Sequence, residues 1–166
     1  AIFHNHFCGY LGYIDEINTL GKEKGIFVVD DAIEAFGSEY KGRKIGNVGS
    51  DATVFSFQTV RLPNTIDGGA IAFKNDKLFE RAKRIRDLGI NRKIFRDNLG
   101  EISAKSDISD IGYGATLSDV NSYIGYVQIE KLDELAAIQI KNAMAWKNKI
   151  KNENPEYYIL GKKYQS

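Results

Sequence analysis

The residues best equipped for chemistry are a pair of adjacent carboxylates, Asp30-Asp31, closing the apolar run Ile26–Val29. A strand that ends in carboxylates delivers them where open α/β sheets bind ligands, so they can meet a cation, a metal or a protonated ring nitrogen. An aspartate in such a place also serves as a helix N-cap. His4 and His6 flank Asn5. Two imidazoles at i and i+2 share one strand face, a spacing that some metal hydrolases use. They are the only two histidines in the chain; a catalytic metal would need most of its ligands from carboxylates, and no metal is expected. A third set, Ser56-Phe57-Gln58-Thr59-Val60-Arg61, runs from a strand end into a loop with hydroxyls and one guanidinium. Hydroxyl and backbone donors beside an arginine suit a phosphate.

The elements that must carry these groups alternate. Ala1–His4 is a short apolar strand, and Leu11, Ile14, Ile17 and Leu20 recur at helical spacing before Gly25, a C-terminal stop. Unbroken apolar strands alternating with helices predict a parallel sheet buried on its faces. Residues 36–49 are glycine-rich and predict a turn or short hairpin, whereas Thr53–Phe57 and Gly69–Phe73 predict two further strands. Asn75-Asp76 caps a helix expected over 77–88, residues 90–114 read as a long irregular segment, and Ser118-Asp119 opens a long helix over about 120–151 that can break near Lys131.

Across 166 residues, 43% are hydrophobic, 27% charged and the formal charge is +1, which excludes disorder and any bulk attraction to nucleic acid or anionic lipid. One cysteine permits no internal disulfide, which points to a reducing, cytoplasmic setting. No apolar run approaches the roughly 20 residues of a membrane span, so neither nucleic acid nor a membrane is an expected partner. No phosphate-loop, dinucleotide or nucleophile-elbow motif is present, and the basic run Arg81–Arg86 reads as a wet helix face.

In order and spacing, Asp30-Asp31-Ala32-Ile33-Glu34, Gly49-Ser50-Asp51, Ser56-Phe57, Asp67-Gly68-Gly69, Arg84-Ile85-Arg86-Asp87-Leu88-Gly89 and Leu117-Ser118-Asp119, continuing through Gln128 to Asp133, resemble the DegT/StrS-type nucleotide-sugar aminotransferases. The resemblance covers roughly residues 1–135. It implies the α/β large domain of fold type I pyridoxal-phosphate (PLP) enzymes, a mostly parallel sheet with helices on both faces, followed by a long helix. Residues 1–116 correspond to the latter part of that domain, and 117–166 to the helix leading toward a small C-terminal domain, as a segment of a longer protein. The resemblance implies a homodimer, a nucleotide-linked sugar substrate and a PLP or pyridoxamine phosphate (PMP) cofactor.

Residue by residue, it assigns Asp31 to the pyridinium nitrogen, Glu34 to the ring oxygen, Ser56 to the cofactor phosphate, and His6, a candidate catalytic residue, to the family histidine three residues before a glycine, here Gly9; Gln58 beside Ser56 is a further candidate for cofactor binding. Gly114 and Thr116 stand where the family carries an asparagine and an arginine that reach the partner's site. A gap-free match places Arg61 at the lysine that forms the Schiff base. Arginine stays protonated and is a poor nucleophile, so any cofactor is expected to be held without a covalent link. One branch of the family carries histidine there and acts as a sugar dehydratase. A non-catalytic subunit of the same fold is the alternative, and a carboxylate magnesium site at Asp30-Asp31 is a remoter one.

Overall fold

The structure is a computed structural model and describes residues 1–153. Its main sheet has four strands: β1 (Ile2–Asn5), β2 (Val28–Asp31), β5 (Ala52–Ser56) and β6 (Gly69–Phe73), in the spatial order β1-β2-β5-β6. The first three run parallel, and β6 returns antiparallel along β5 from Ala52↔Phe73 to Ser56↔Gly69. The sheet is thus mostly parallel, as expected, with β6 its one antiparallel strand. The excursion between β5 and β6, residues 57–68, is a loop that holds no helix, not the helical crossover usual between parallel neighbours. Residues 36–49 form the small hairpin β3 (Glu39–Tyr40) and β4 (Arg43–Lys44).

Between β1 and β2 lies α1 (Ile14–Lys24), with Asp15 and Glu16 in its first turn and Lys22 and Lys24 in its last, each sign opposing the helix dipole. Gly25 closes it in the left-handed conformation, φ 64°, and its N–H returns to the carbonyls of Gly21 and Lys22. Because the Ile26 N–H also bonds to Gly21 O, the chain is still leaving the helix there; β2 starts at Val28 and carries both aspartates within it. Ile14, Ala32, Ala35, Ile45 and Val48 form the buried core, with Leu11, Tyr40 and Phe55 packed against it.

Helix α2 (Asp76–Arg86) is capped by the Asn75 side chain, which accepts from the Lys77 and Leu78 N–H groups. The segment expected to be irregular holds only one short helix, α3 (Arg92–Phe95), and isolated bridges. Asp110 ties it to α2 by accepting from Arg81 Nε at 3.1 Å and Arg84 Nε at 2.9 Å. Ser118 caps α4 (Asp119–Ile129), and α5 (Leu132–Glu153) follows after a break at Glu130-Lys131. The break expected near Lys131 thus divides the segment into two helices, and Ile138 and Met144 of α5 are exposed. Residues 154–166 of the expected C-terminal segment lie outside the described residues. No helix among the described residues is long and apolar enough to cross a membrane.

Candidate active site

The β1–β2 register decides which groups meet. His4 pairs with Asp30 and Asn5 with Asp31; since side chains alternate, His4, His6 and Asp30 share one face of the sheet while Asn5 and Asp31 share the other. The next pairing sets Asp30 beside Thr53 and Asp31 beside Val54. Ser56, two residues beyond Val54, therefore lies on the face of Asp31.

The first face is closed. His6 and Asp30 are fully buried, with His6 Nε2 at 3.2 Å and His4 Nδ1 at 3.4 Å from Asp30 Oδ1. The imidazole rings meet edge to face, centroids 4.5 Å apart. His6 Nδ1 accepts the Gly12 N–H at 3.3 Å. A neutral His6 must then carry its proton on Nε2, toward Asp30, which leaves no Nε2 lone pair for a metal. The cluster is accordingly a charge-dipole contact around a buried carboxylate. Burial alone would raise the Asp30 pKa, but His6, Ser50 and the charge of the imidazoles together outweigh it and hold the carboxyl below its ordinary value. Burial, reinforced by His6, pushes His4 below the ordinary imidazole value, more than Asp30 restores it.

The second face is open. Asp31 accepts from Asn5 Nδ2 at 2.9 Å and from the Ile33 N–H at 3.3 Å, contacts that fix the carboxylate and leave lone pairs free. Glu34 is held at both oxygens: the Cys8 N–H donates to Oε2 at 2.8 Å and Arg61 Nη1 to Oε1 at 3.0 Å. These two donors, the backbone N–H first, lower its pKa. The Arg61 Nε is buried without a hydrogen-bond partner. Ser56 Oγ accepts the Gln58 N–H at 3.4 Å, and the Gln58 side chain is exposed.

Of the residues singled out in the sequence, the structure brings Asp31 and Ser56 to one face and joins Glu34 to Arg61. His6 lies on the opposite, enclosed face. Gly114 lies in a bridge with Asp87. Two partners went unread in the sequence: Asn5, which strand parity alone would have set beside Asp31, and the backbone of Cys8, for which no sequence signal exists. Cys8 itself has a positive φ of 54°.

This arrangement sets carboxylates and a serine at the C-terminal ends of parallel strands beside a loop with a cation, on a sheet with the α/β architecture of PLP-dependent aminotransferases. The model of the DegT/DnrJ/EryC1/StrS aminotransferase family matches residues 1–164, and the chain belongs to that family. It is 40% identical over 120 residues to the UDP-4-amino-4,6-dideoxy-N-acetyl-beta-L-altrosamine transaminase of Campylobacter jejuni (serotype O:23/36, strain 81-176), a match covering 72% of this chain and 30% of that protein. Among solved structures it superposes on Helicobacter pylori PseC, an aminotransferase involved in the biosynthesis of pseudoaminic acid, with TM-score 0.82 and 26% identity over 93% of this chain and 39% of that one. The aminotransferase TlmJ of Streptoalloteichus hindustanus gives TM-score 0.70 and 30% identity over 81% and 34%. The chain thus spans about a third of the length of these relatives. Family and fold together imply a PLP or PMP cofactor.

The residues present fit that group in part. A fixed carboxylate with free lone pairs suits a protonated ring nitrogen, and a hydroxyl on the same face suits a phosphate. At position 61, where the sequence resemblance sets the anchoring lysine, stands a guanidinium engaged by Glu34, which does not suit a covalent link.

Proposed function

We propose that this chain is part of a nucleotide-sugar aminotransferase-family protein of surface-sugar biosynthesis that holds PLP or PMP without a covalent link. In this reading Asp31 holds the ring nitrogen, Glu34 the ring oxygen, and Ser56, with Gln58 and Arg61, the phosphate region. When bound, the cofactor supplies an electron sink for amino-group transfer. Asn5 orients Asp31, and the Cys8 N–H orients Glu34. His6 acts from the buried face, where it keeps Asp30 ionised beneath the strand that presents Asp31. The protein works in the cytoplasm, with a nucleotide-linked sugar as substrate, and pairs with a second copy. Large exposed apolar side chains at Phe3, Val60, Ile111 and Tyr113 support such an association.

The observation that carries the reading is the Arg61–Glu34 pair. It fills the catalytic position with a cation that cannot attack an aldehyde yet neutralises an acidic neighbour. The same observation favours the second reading, a subunit that kept the fold and lost the chemistry. Titration with PLP followed by borohydride separates them. A visible band with no pyridoxyl-lysine peptide supports non-covalent binding, and Arg61→Lys should then gain the reducible adduct. Absence of any band from a folded protein supports the non-catalytic subunit, whereas a pyridoxyl-lysine peptide from the natural chain overturns the assignment of position 61.

A further inference from the structure

The loop that carries Arg61 is fastened from outside by one side chain. Gln128, on α4, makes two bonds to the backbone of Asn64: its Oε1 accepts the Asn64 N–H at 3.0 Å and its Nε2 donates to the Asn64 carbonyl at 3.0 Å. This is the pairing that a neighbouring strand would make, supplied by an amide 64 residues away. Asn64 Nδ2 adds a longer contact to the same Oε1 at 3.5 Å. Around it the loop is packed closely: Pro63 and Thr65 are buried, and Gly125, one turn before Gln128, lets α4 close on Thr65. Arg61 sits three residues before Asn64 and has one partnered nitrogen, Nη1 on Glu34.

We infer that Gln128 is a positioning residue, whose two-point hold on Asn64 sets where the Arg61 guanidinium stands and so couples helix α4 to the Arg61–Glu34 pair. The loop's other backbone bonds are its own: Arg61 N–H to Gln58 O at 2.8 Å, Thr65 N–H to Phe57 O at 2.7 Å and Thr59 N–H to Ile66 O at 3.0 Å close it on the end of β5. Gln128 supplies the hold from outside, and without it the loop keeps these bonds and its buried proline but loses its tie to α4. The inference concerns the chain's own contacts and stands whether or not a cofactor binds.

Gln128→Met keeps the length of the side chain and removes both bonds. In the full chain, hydrogen exchange should show the Asn64 amide opening about tenfold faster, and carbon NMR should show the Glu34 carboxyl titrating higher, toward its ordinary range, as Arg61 leaves it. Leu135→Ala, which loosens α5 elsewhere, is the control at matched thermal stability and should move neither signal. Gln128→Glu keeps the acceptor for the Asn64 N–H but sets an oxygen against the Asn64 carbonyl in place of the Nε2 donor, so it breaks the two-point hold without shortening the side chain. It too should speed Asn64 exchange and raise the Glu34 midpoint, and it tests the hold even where the methionine variant does not fold. Unchanged Asn64 exchange and an unchanged Glu34 midpoint in either folded variant overturn the inference.

Discussion

Gly125→Ala tests how closely α4 must approach the loop of Arg61. Two effects oppose each other. Alanine in a helix interior is favoured over glycine by about 0.5–1 kcal/mol. Against this, a Cβ at position 125 would stand 2.6 Å from Thr65 Cγ2, inside any tolerable contact. Thr65 cannot rotate away freely, because its hydroxyl donates to Asp67 O at 2.5 Å and its N–H to Phe57 O at 2.7 Å, and the residue is 4% exposed. Forcing an extra methyl into such packing costs about 1–3 kcal/mol. The clash therefore matches or outweighs the helix gain, and the net loss is up to about 2.5 kcal/mol, which lowers the melting temperature by up to about 10 °C for a chain of this size. Thr65→Ser removes the offending methyl and keeps the hydroxyl bonds. In the double variant the alanine should then be neutral or stabilising, a coupling of about 1–3 kcal/mol in a thermal double-mutant cycle followed by circular dichroism. Additive losses, or an alanine that stabilises the chain with Thr65 intact, would refute the reasoning.

Neighbouring aspartates should fail differently. Asp31→Asn should weaken PMP binding about tenfold to a hundredfold, measured by fluorescence titration, while barely moving the melting temperature, because it removes a charge-assisted bond on the open face. Asp30→Asn should do the reverse, since its carboxylate is the buried partner of His4 and His6; equal losses of affinity from both would argue for a shared metal. Stability should also fall in two steps on acidification. The folded pKa of His4 lies below its ordinary 6.5, so the unfolded chain takes up the proton first and stability falls as pH drops below that value. Asp30, lowered from 3.8, adds a second loss as pH drops below 3.8 toward its folded value. Urea unfolding across pH should lose the first step in His4→Ala and the second in Asp30→Asn; a flat profile between pH 7 and 5 in the natural chain contradicts the assignment of His4.

What could be read from the sequence is what local rules decide. Gly25, Asn75 and Ser118 stop or cap their helices where turn chemistry places them, and alternation put His4 and His6 on one face. The family resemblance added the matches at Asp31, Ser56 and Arg61. Spacing failed where burial depends on distant chain. Ile138 and Met144 recur at helical intervals, yet periodicity fixes only that they share a face of α5, not that anything covers it. The mostly parallel sheet was legible, but which strand runs antiparallel was not, because an apolar strand reads alike in both directions. The hold of Gln128 on Asn64 was invisible because it joins residues 64 apart, and the family match at Gln128 says nothing of what its side chain meets.

Register explains why one substitution can alter the chemistry without altering the scaffold. The parallel pairing of β1 with β2 sorts adjacent aspartates onto opposite faces: Asp30 goes to a closed pair of imidazoles, and Asp31 goes to an open face with Asn5 and Ser56. The buried set is costly to change, since removing any member leaves a charge or donor without a partner. The open set carries no such penalty. Arg61 stands on a loop packed through Pro63 and Thr65, two and four residues away, so the identity of residue 61 is nearly free of the fold. A chain of this family can therefore exchange a nucleophilic lysine for a guanidinium, pair it with Glu34, and retain strands, core and helix contacts. On the proposed reading, one side chain would decide the reaction while the open face of Asp31, Asn5 and Ser56 keeps its shape.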